Sequence, residues 1–149
     1  MSAATHTLAN QLLKLLFNNV ALTGIGTTAG LPGTTTPGNL YVSLHTADPG
    51  NAGEQTTSET NYGGYARVAV ARTASGWTIT DNAFTNTATV QFPACTSGSS
   101  TVTHVGIGTA ATGAGKLLWR AAFGTPPALA VSIGIAPKFD PDVLAGEVN

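Results

Sequence analysis

Hydrophobic positions follow two different periods along this chain. Between residues 8 and 17 they recur at helical spacing. Leu8, Leu12, Leu15 and Leu16 share one face, with Leu13 and Phe17 widening it. Thr5 or Thr7 can supply the N-cap oxygen, and Asn18 and Asn19 can end the helix. A lone helix of this length is marginal in water, so it must pack on its own sheet or on a neighbouring subunit. Residues 23–38 then lose all periodicity. They are rich in Gly, Thr and Pro, and the pairs Pro32-Gly33 and Pro37-Gly38 mark turns.

From Asn39 onward the period is two. Leu40, Val42 and Leu44 face one way while Tyr41, Ser43 and His45 face the other. A second loop, residues 46–64, opens with Asp48-Pro49-Gly50. Alternation resumes at Tyr65–Val70, then near Trp77 and Ile79, and again up to Val90 and Phe92, where Pro93 stops it. Thr101–Thr109 alternates Val105 and Ile107 with Gly106 and Gly108. Lys116–Phe123, Ala128–Gly134 and a segment near 142–148 complete the series. The expected fold is mainly β: an antiparallel β-sandwich or jelly roll of about eight strands with an N-terminal α-helix. No alternation of strands with helices supports a doubly wound sheet. The expected organisation is a helix and Gly/Thr/Pro-rich arm at 1–38 and a β-sandwich domain at 39–149.

Composition narrows the function. The 149 residues suffice for one domain with a real core. Only 9% are charged, with six basic residues against seven acidic ones; an average domain carries about 25%. The cations Lys14, Arg67, Arg72, Lys116, Arg120 and Lys138 are dispersed, and only Arg67 and Arg72 are near neighbours. Nucleic acid is thereby disfavoured as a main ligand, because phosphate binding needs clustered Lys and Arg. A surface of small neutral side chains near zero net charge favours association with other proteins. Cys95 is the single cysteine, which rules out an intramolecular disulfide and Cys-rich zinc sites. The apolar stretch Leu8–Val20 is broken by Asn10, Gln11, Lys14, Asn18 and Asn19, and no basic segment precedes it. Neither an export signal nor a membrane span is expected.

The candidate chemistry is thin. Ala110–Leu117 nearly matches a P-loop, but Leu117 stands where a Mg²⁺-ligating Ser or Thr is required. Leu118-Trp119-Arg120 continues as a strand rather than a helix, so a Gly-rich hairpin turn is the better reading. His6, His45 and His104 lack metal-ligand spacing, although His45 and His104 could meet across a sheet. No Gly-x-Ser-x-Gly elbow is present, and nothing near Cys95 marks it as activated. No catalytic, cofactor or metal residues are therefore assigned, and an enzyme is not expected. The loop 46–64 offers Asp48, Glu54 and Glu59 beside Asn51, Gln55, Asn61, Tyr62 and Tyr65. Polar groups with aromatics could bind a sugar or receptor. Trp77 and Trp119 read as core residues.

The segment Leu40-Tyr41-Val42-Ser43-Leu44-His45-Thr46-Ala47-Asp48-Pro49-Gly50, the run Asn61-Tyr62-Gly63-Gly64-Tyr65-Ala66-Arg67, Phe92-Pro93 and Val102–Gly108 occur in that order. Together they resemble a family of small bacteriophage virion proteins, tail-fibre-like or of the capsid-decoration type. The resemblance covers most of the chain. It implies a virion protein made in the bacterial host cytoplasm, whose partners are other virion proteins. A homo-oligomer or lattice-bound state is expected, with a host glycan or receptor as the alternative partner. The expected contact surface comprises Leu8, Leu12, Leu15 and Leu16 of the helix together with Tyr62, Tyr65 and Arg67. On this reading, removal of residues 1–38 leaves a folded sandwich that no longer assembles.

Overall fold

The computed structural model describes residues 4–148. Among these residues there is one helix, α1 (His6–Asn18), and eleven strands. The strands are β1 (Asn39–His45), β2 (Val68–Ala71), β3 (Trp77–Thr80), β4 (Ala83–Asn86), β5 (Val90–Gln91) and β6 (Ser99–Val102). They continue with β7 (His104–Gly108), β8 (Leu117–Ala122), β9 (Leu129–Ser132), β10 (Lys138–Phe139) and β11 (Ala145–Glu147). They form four small sheets, ordered β2-β1-β7-β8, β11-β4-β3, β6-β9 and β10-β5. The registers of β1 with β7, β7 with β8, β3 with β4, β4 with β11 and β6 with β9 are all antiparallel. The fold is thus mainly β with an N-terminal helix, as the alternation implied. Its strands are shorter and more numerous than the eight expected. The run 101–109 is divided at Thr103 between two sheets, and β4 and β10 carry no alternation that would have marked them.

Two compact units interleave along the chain. One gathers the described residues of 1–39, 70–89 and 139–149; the other gathers 40–69 and 90–138. The helix is grouped with β3, β4 and β11 in the first of these units. Thr5 caps α1, its Oγ1 accepting from the Leu8 N–H at 3.3 Å, and Asn19 ends it in the left-handed conformation with φ 57°. The Arg72 guanidinium donates to the carbonyls of Leu15 (2.7 Å), Leu16 (2.6 Å) and Pro37 (3.0 Å). It satisfies helix-terminal acceptors that would otherwise be orphaned, and places a cation at the negative end of the helix dipole.

The face that α1 buries is Ala9, Leu13 and Phe17, one residue per turn. Leu8 is exposed and Leu12, Leu15 and Leu16 are half-buried flanks. What selects this face is aromatic packing. Phe17 stacks on Phe84 with centroids 4.2 Å apart and meets Trp77 edge-on at 5.0 Å. Trp77 in turn meets Phe84 edge-on at 5.8 Å. Such arrangements set ring edges against ring faces, a geometry worth more than area alone. At the other end of β4, the buried Asn86 accepts from Leu144 N–H (2.8 Å) and donates to the carbonyls of Ala88 (2.8 Å) and Asp140 (2.9 Å). A buried amide with three partners costs little and fixes the path of the chain into β11.

In the other unit, Leu40, Val42 and Leu44 on β1 are buried with Val105 and Ile107 on β7. Phe92, Val102 and Val131 are buried in the same unit. Ser43 and His45 on β1 are fully buried as well. A strand closed on both faces needs a cover for its polar side, and the loop 46–60 supplies it.

Candidate functional site

Of the residues that the sequence singles out, His45, Gln55, Glu59, Tyr65 and Arg67 gather around that covered face. Ser43 pairs with Gly106 across β1 and β7, and His45 pairs with His104. Gly106 and Gly108 leave room above the sheet. A Cβ on Gly106 would come 2.6 Å from His45 Nε2, and one on Gly108 would come 2.2 Å from Gln55 Cδ. Gly106 therefore leaves room for the β1 side chains of Ser43 and His45, and Gly108 marks where Gln55 of the loop descends onto β7. Gln55 fills that space: its Oε1 accepts from the Ala110 N–H at 2.8 Å, and its backbone N–H donates to the Gly115 carbonyl at 3.1 Å. Backbone bonds from Thr46 N–H to Ser58 O (2.8 Å) and from Thr60 N–H to Leu44 O (2.9 Å) bring the loop back beside β1.

Beneath the loop lies a polar relay. His45 Nδ1 is 2.8 Å from the Thr57 carbonyl, and Nε2 is 2.9 Å from Ser43 Oγ. A carbonyl can only accept, so Nδ1 carries the proton and Nε2 accepts from the Ser43 hydroxyl. Burial holds the imidazole below its ordinary pKa; the Thr57 carbonyl opposes this, as does the Glu59 charge. A serine oriented toward a histidine is half of a nucleophilic pair. Here both side chains are sealed from solvent, and the hydroxyl is engaged in holding the loop.

The second node is Arg67. Its guanidinium holds Glu59 through Nε–Oε1 and Nη2–Oε2, each at 2.7 Å, in a bidentate pair. It also donates to the carbonyls of Ala110 and Gly113, both at 2.9 Å. Its side chain is only 3% exposed. The Glu59 carboxylate raises the guanidinium pKa and also accepts from Tyr65 Oη at 2.8 Å. Tyr65 Oη accepts in turn from the Leu44 N–H at 3.1 Å, and burial pushes its phenol well above the usual range. Arg67 thus locks the Gly-rich segment 110–115, which is the hairpin connection of antiparallel β7 and β8 and has no helix after it. This agrees with reading it as a turn rather than a phosphate loop.

Of the expected contact residues that follow loop 46–60, Tyr62 and the Arg67 side chain are buried and Tyr65 is half-buried. Tyr62 is 4% exposed, donates to the Pro93 carbonyl at 3.0 Å and meets Tyr65 edge-on at 5.3 Å. Tyr65 is stacked over Phe92 at 6.1 Å. Sequence reasoning missed Ser43, His45 and Gln55 as a cluster, although the glycine alternation at 106 and 108 could have located it. Of the remaining candidates, Asp48 pairs with Arg120, which also donates to Asn51 Oδ1 at 2.7 Å. The Gly50 N–H lowers the Asp48 pKa, with Arg120 adding to the effect. His45 and His104 do meet across the sheet, but no group of three or more metal-ligating side chains occurs among the described residues. Cys95 is buried with its thiol directed to the Ser97 carbonyl at 3.3 Å. Among the described residues, no helix is long and apolar enough to cross a membrane.

What remains exposed and apolar in the first unit lies chiefly before β1. Leu8, Val20, Ile25 and Leu31 are 42–50% exposed. Leu31 is held in place by paired backbone bonds with Leu22 at 2.8 and 2.9 Å, and Asn19 holds Thr34 through its side-chain amide. The 23–38 segment thus has a defined course with apolar side chains facing outward.

No curated protein matches the chain. Residues 3–132 match the family described as podophage GP4 fiber I protein gp80. That match spans most of the chain, which therefore belongs to the podophage fibre I protein gp80 family and is a structural protein of the phage virion.

Proposed function

We propose that this chain is a non-enzymatic component of the phage fibre that joins the particle by protein–protein contact. The observation that carries this reading is the family match over residues 3–132. The chemistry of the interior supports it. Among the residues best suited to acid–base or nucleophilic work, His45 and Arg67 each hold a loop in place, Glu59 is held by Arg67, and Ser43 is bonded to His45. The antiparallel registers and the two-sided burial of β1 support a sandwich-type scaffold for such a role.

The contact elements are the outer side of α1 and the 19–38 segment, where Leu8, Val20, Ile25 and Leu31 present apolar surface. Their occupant is another virion protein or a further copy of this chain in a homo-oligomer. Deleting 1–38 is a poor test, because it strips Phe17 from Trp77 and Phe84. The paired substitution Ile25→Glu and Leu31→Glu leaves every buried residue in place. Phage carrying it should produce a folded protein, with wild-type circular dichroism, that is missing from purified particles. Normal incorporation of this folded variant overturns the docking assignment.

A further inference from the structure

The relay beneath loop 46–60 has the construction of a latch. Ser43 and His45 are both fully buried, and the Ser43 hydroxyl has Nε2 of His45 as its hydrogen-bond partner. The ring's other nitrogen grips the loop at Thr57, in a turn closed by Thr57 N–H to Glu54 O and Glu54 N–H to Thr57 Oγ1, both at 3.0 Å. The space the ring occupies exists because residue 106 is glycine. We propose that His45 is a proton-operated latch: the neutral ring fastens loop 46–60 to β1, and protonation releases that loop while the β7–β8 ladder stays formed.

The geometry gives the reason. A proton added at Nε2 faces Ser43 Oγ, so the Ser43 hydrogen must turn away into a dry interior with no other acceptor assigned to it. Burial opposes the charged ring most strongly, while the surrounding groups divide, the Thr57 carbonyl favouring it. Arg67 and the register partner His104 both disfavour the imidazolium. Glu59 favours it, but that carboxylate is already held by two nitrogens of Arg67 and by the Tyr65 hydroxyl. Burial, the largest influence, acts in the same direction as Arg67 and His104. Release would uncover the face of β1 and β7 that carries Ser43, Gly106 and Gly108.

The sign follows from proton linkage. The closed loop holds the imidazole below its ordinary value of 6.5, so the open loop binds more protons. The latch is therefore fully closed above that pH and weakens as pH falls below it. One linked proton raises the opening equilibrium by up to about tenfold per pH unit in that window.

Hydrogen exchange on the intact chain between pH 7.5 and 5, corrected for intrinsic rates, measures the effect directly. Amides of Thr46, Gln55 and Thr60 should lose protection by up to about tenfold per unit, whereas α1 and the β7–β8 ladder keep theirs. His45→Gln, a neutral side chain that can still donate to Thr57, should abolish the response, and His104→Gln should retain it. Should His45→Gln not fold, the imidazole resonances of the wild type decide: the His45 titration must coincide with the onset of loop exchange. Three results overturn the latch: protection of 46–60 that is flat with pH, loss that occurs in step across every element, or a response that tracks His104 with His45 silent.

Discussion

Phe17→Ala tests whether α1 is integral to its unit. Phe17 is fully buried, 4.2 Å from Phe84 and 5.0 Å from Trp77 by ring centroid. Truncating a buried phenylalanine costs about 3–5 kcal/mol, which includes the transfer of the ring and the cavity left behind. The loss of two aromatic contacts places this site toward the upper end. Whole-domain stabilities are about 5–15 kcal/mol, so the change removes a large fraction of the total. At about 2–4 °C per kcal/mol for a chain of this size, the midpoint should fall by about 6–20 °C. Urea unfolding followed by tryptophan fluorescence reads it, since Trp77 lies against the vacated site. Leu8→Ala is the matched comparison: it lies on the same helix and on the face favoured by sequence periodicity, yet it is 42% exposed. It should cost no more than about 0.5 kcal/mol. Equal and small effects of the two substitutions would mean that the helix is a detachable arm and that the buried stripe is wrongly placed.

Three further outcomes follow from the covered face of the sheet. Gly108→Ala should destabilise by about 1–3 kcal/mol through overpacking against Gln55, and Gln55→Ala in the same chain should recover part of that loss in thermal melts. Arg67→Ala should cost about 3–5 kcal/mol because it leaves Glu59 buried without its cation; Arg67→Lys should recover only part of it, since an ammonium cannot reproduce the fork that reaches Glu59, Ala110 and Gly113 together. In alkaline titration the Tyr65 phenol should ionise last. Its folded-state pKa is raised, so its contribution to stability is complete below about pH 10 and is lost as pH rises beyond that. Tyr65→Phe should flatten that alkaline slope in urea melts recorded across pH.

Much of the architecture was legible because local signals are strong where a strand has one buried face. Leu40, Val42 and Leu44 mark β1 by alternation, and Thr5 and Asn19 mark the ends of α1 by capping chemistry. The orientation of α1 was not legible. Its apolar residues cover a wide arc, and only the aromatic pair Trp77 and Phe84, distant in sequence, selects Ala9, Leu13 and Phe17. Strand β4, with the sequence Ala-Phe-Thr-Asn, is too short and polar to announce itself; its position depends on pairing with β3 and β11. For the loop 46–64, a run of polar and aromatic residues suggested an exposed binding surface. The structure buries Tyr62 and the Arg67 side chain and half-buries Tyr65, because Glu59 takes up the Arg67 guanidinium and the Tyr65 hydroxyl, and the Pro93 carbonyl takes up the Tyr62 hydroxyl. Those pairings are long-range, and spacing along the chain does not encode them.

A cryo-EM reconstruction of the intact podophage particle tests the central claim most directly. The account predicts density in the fibre assembly that accommodates both compact units, with Ile25 and Leu31 against a neighbouring subunit. A fibre fully explained by other chains, in particles whose peptides include none from this protein, would contradict it.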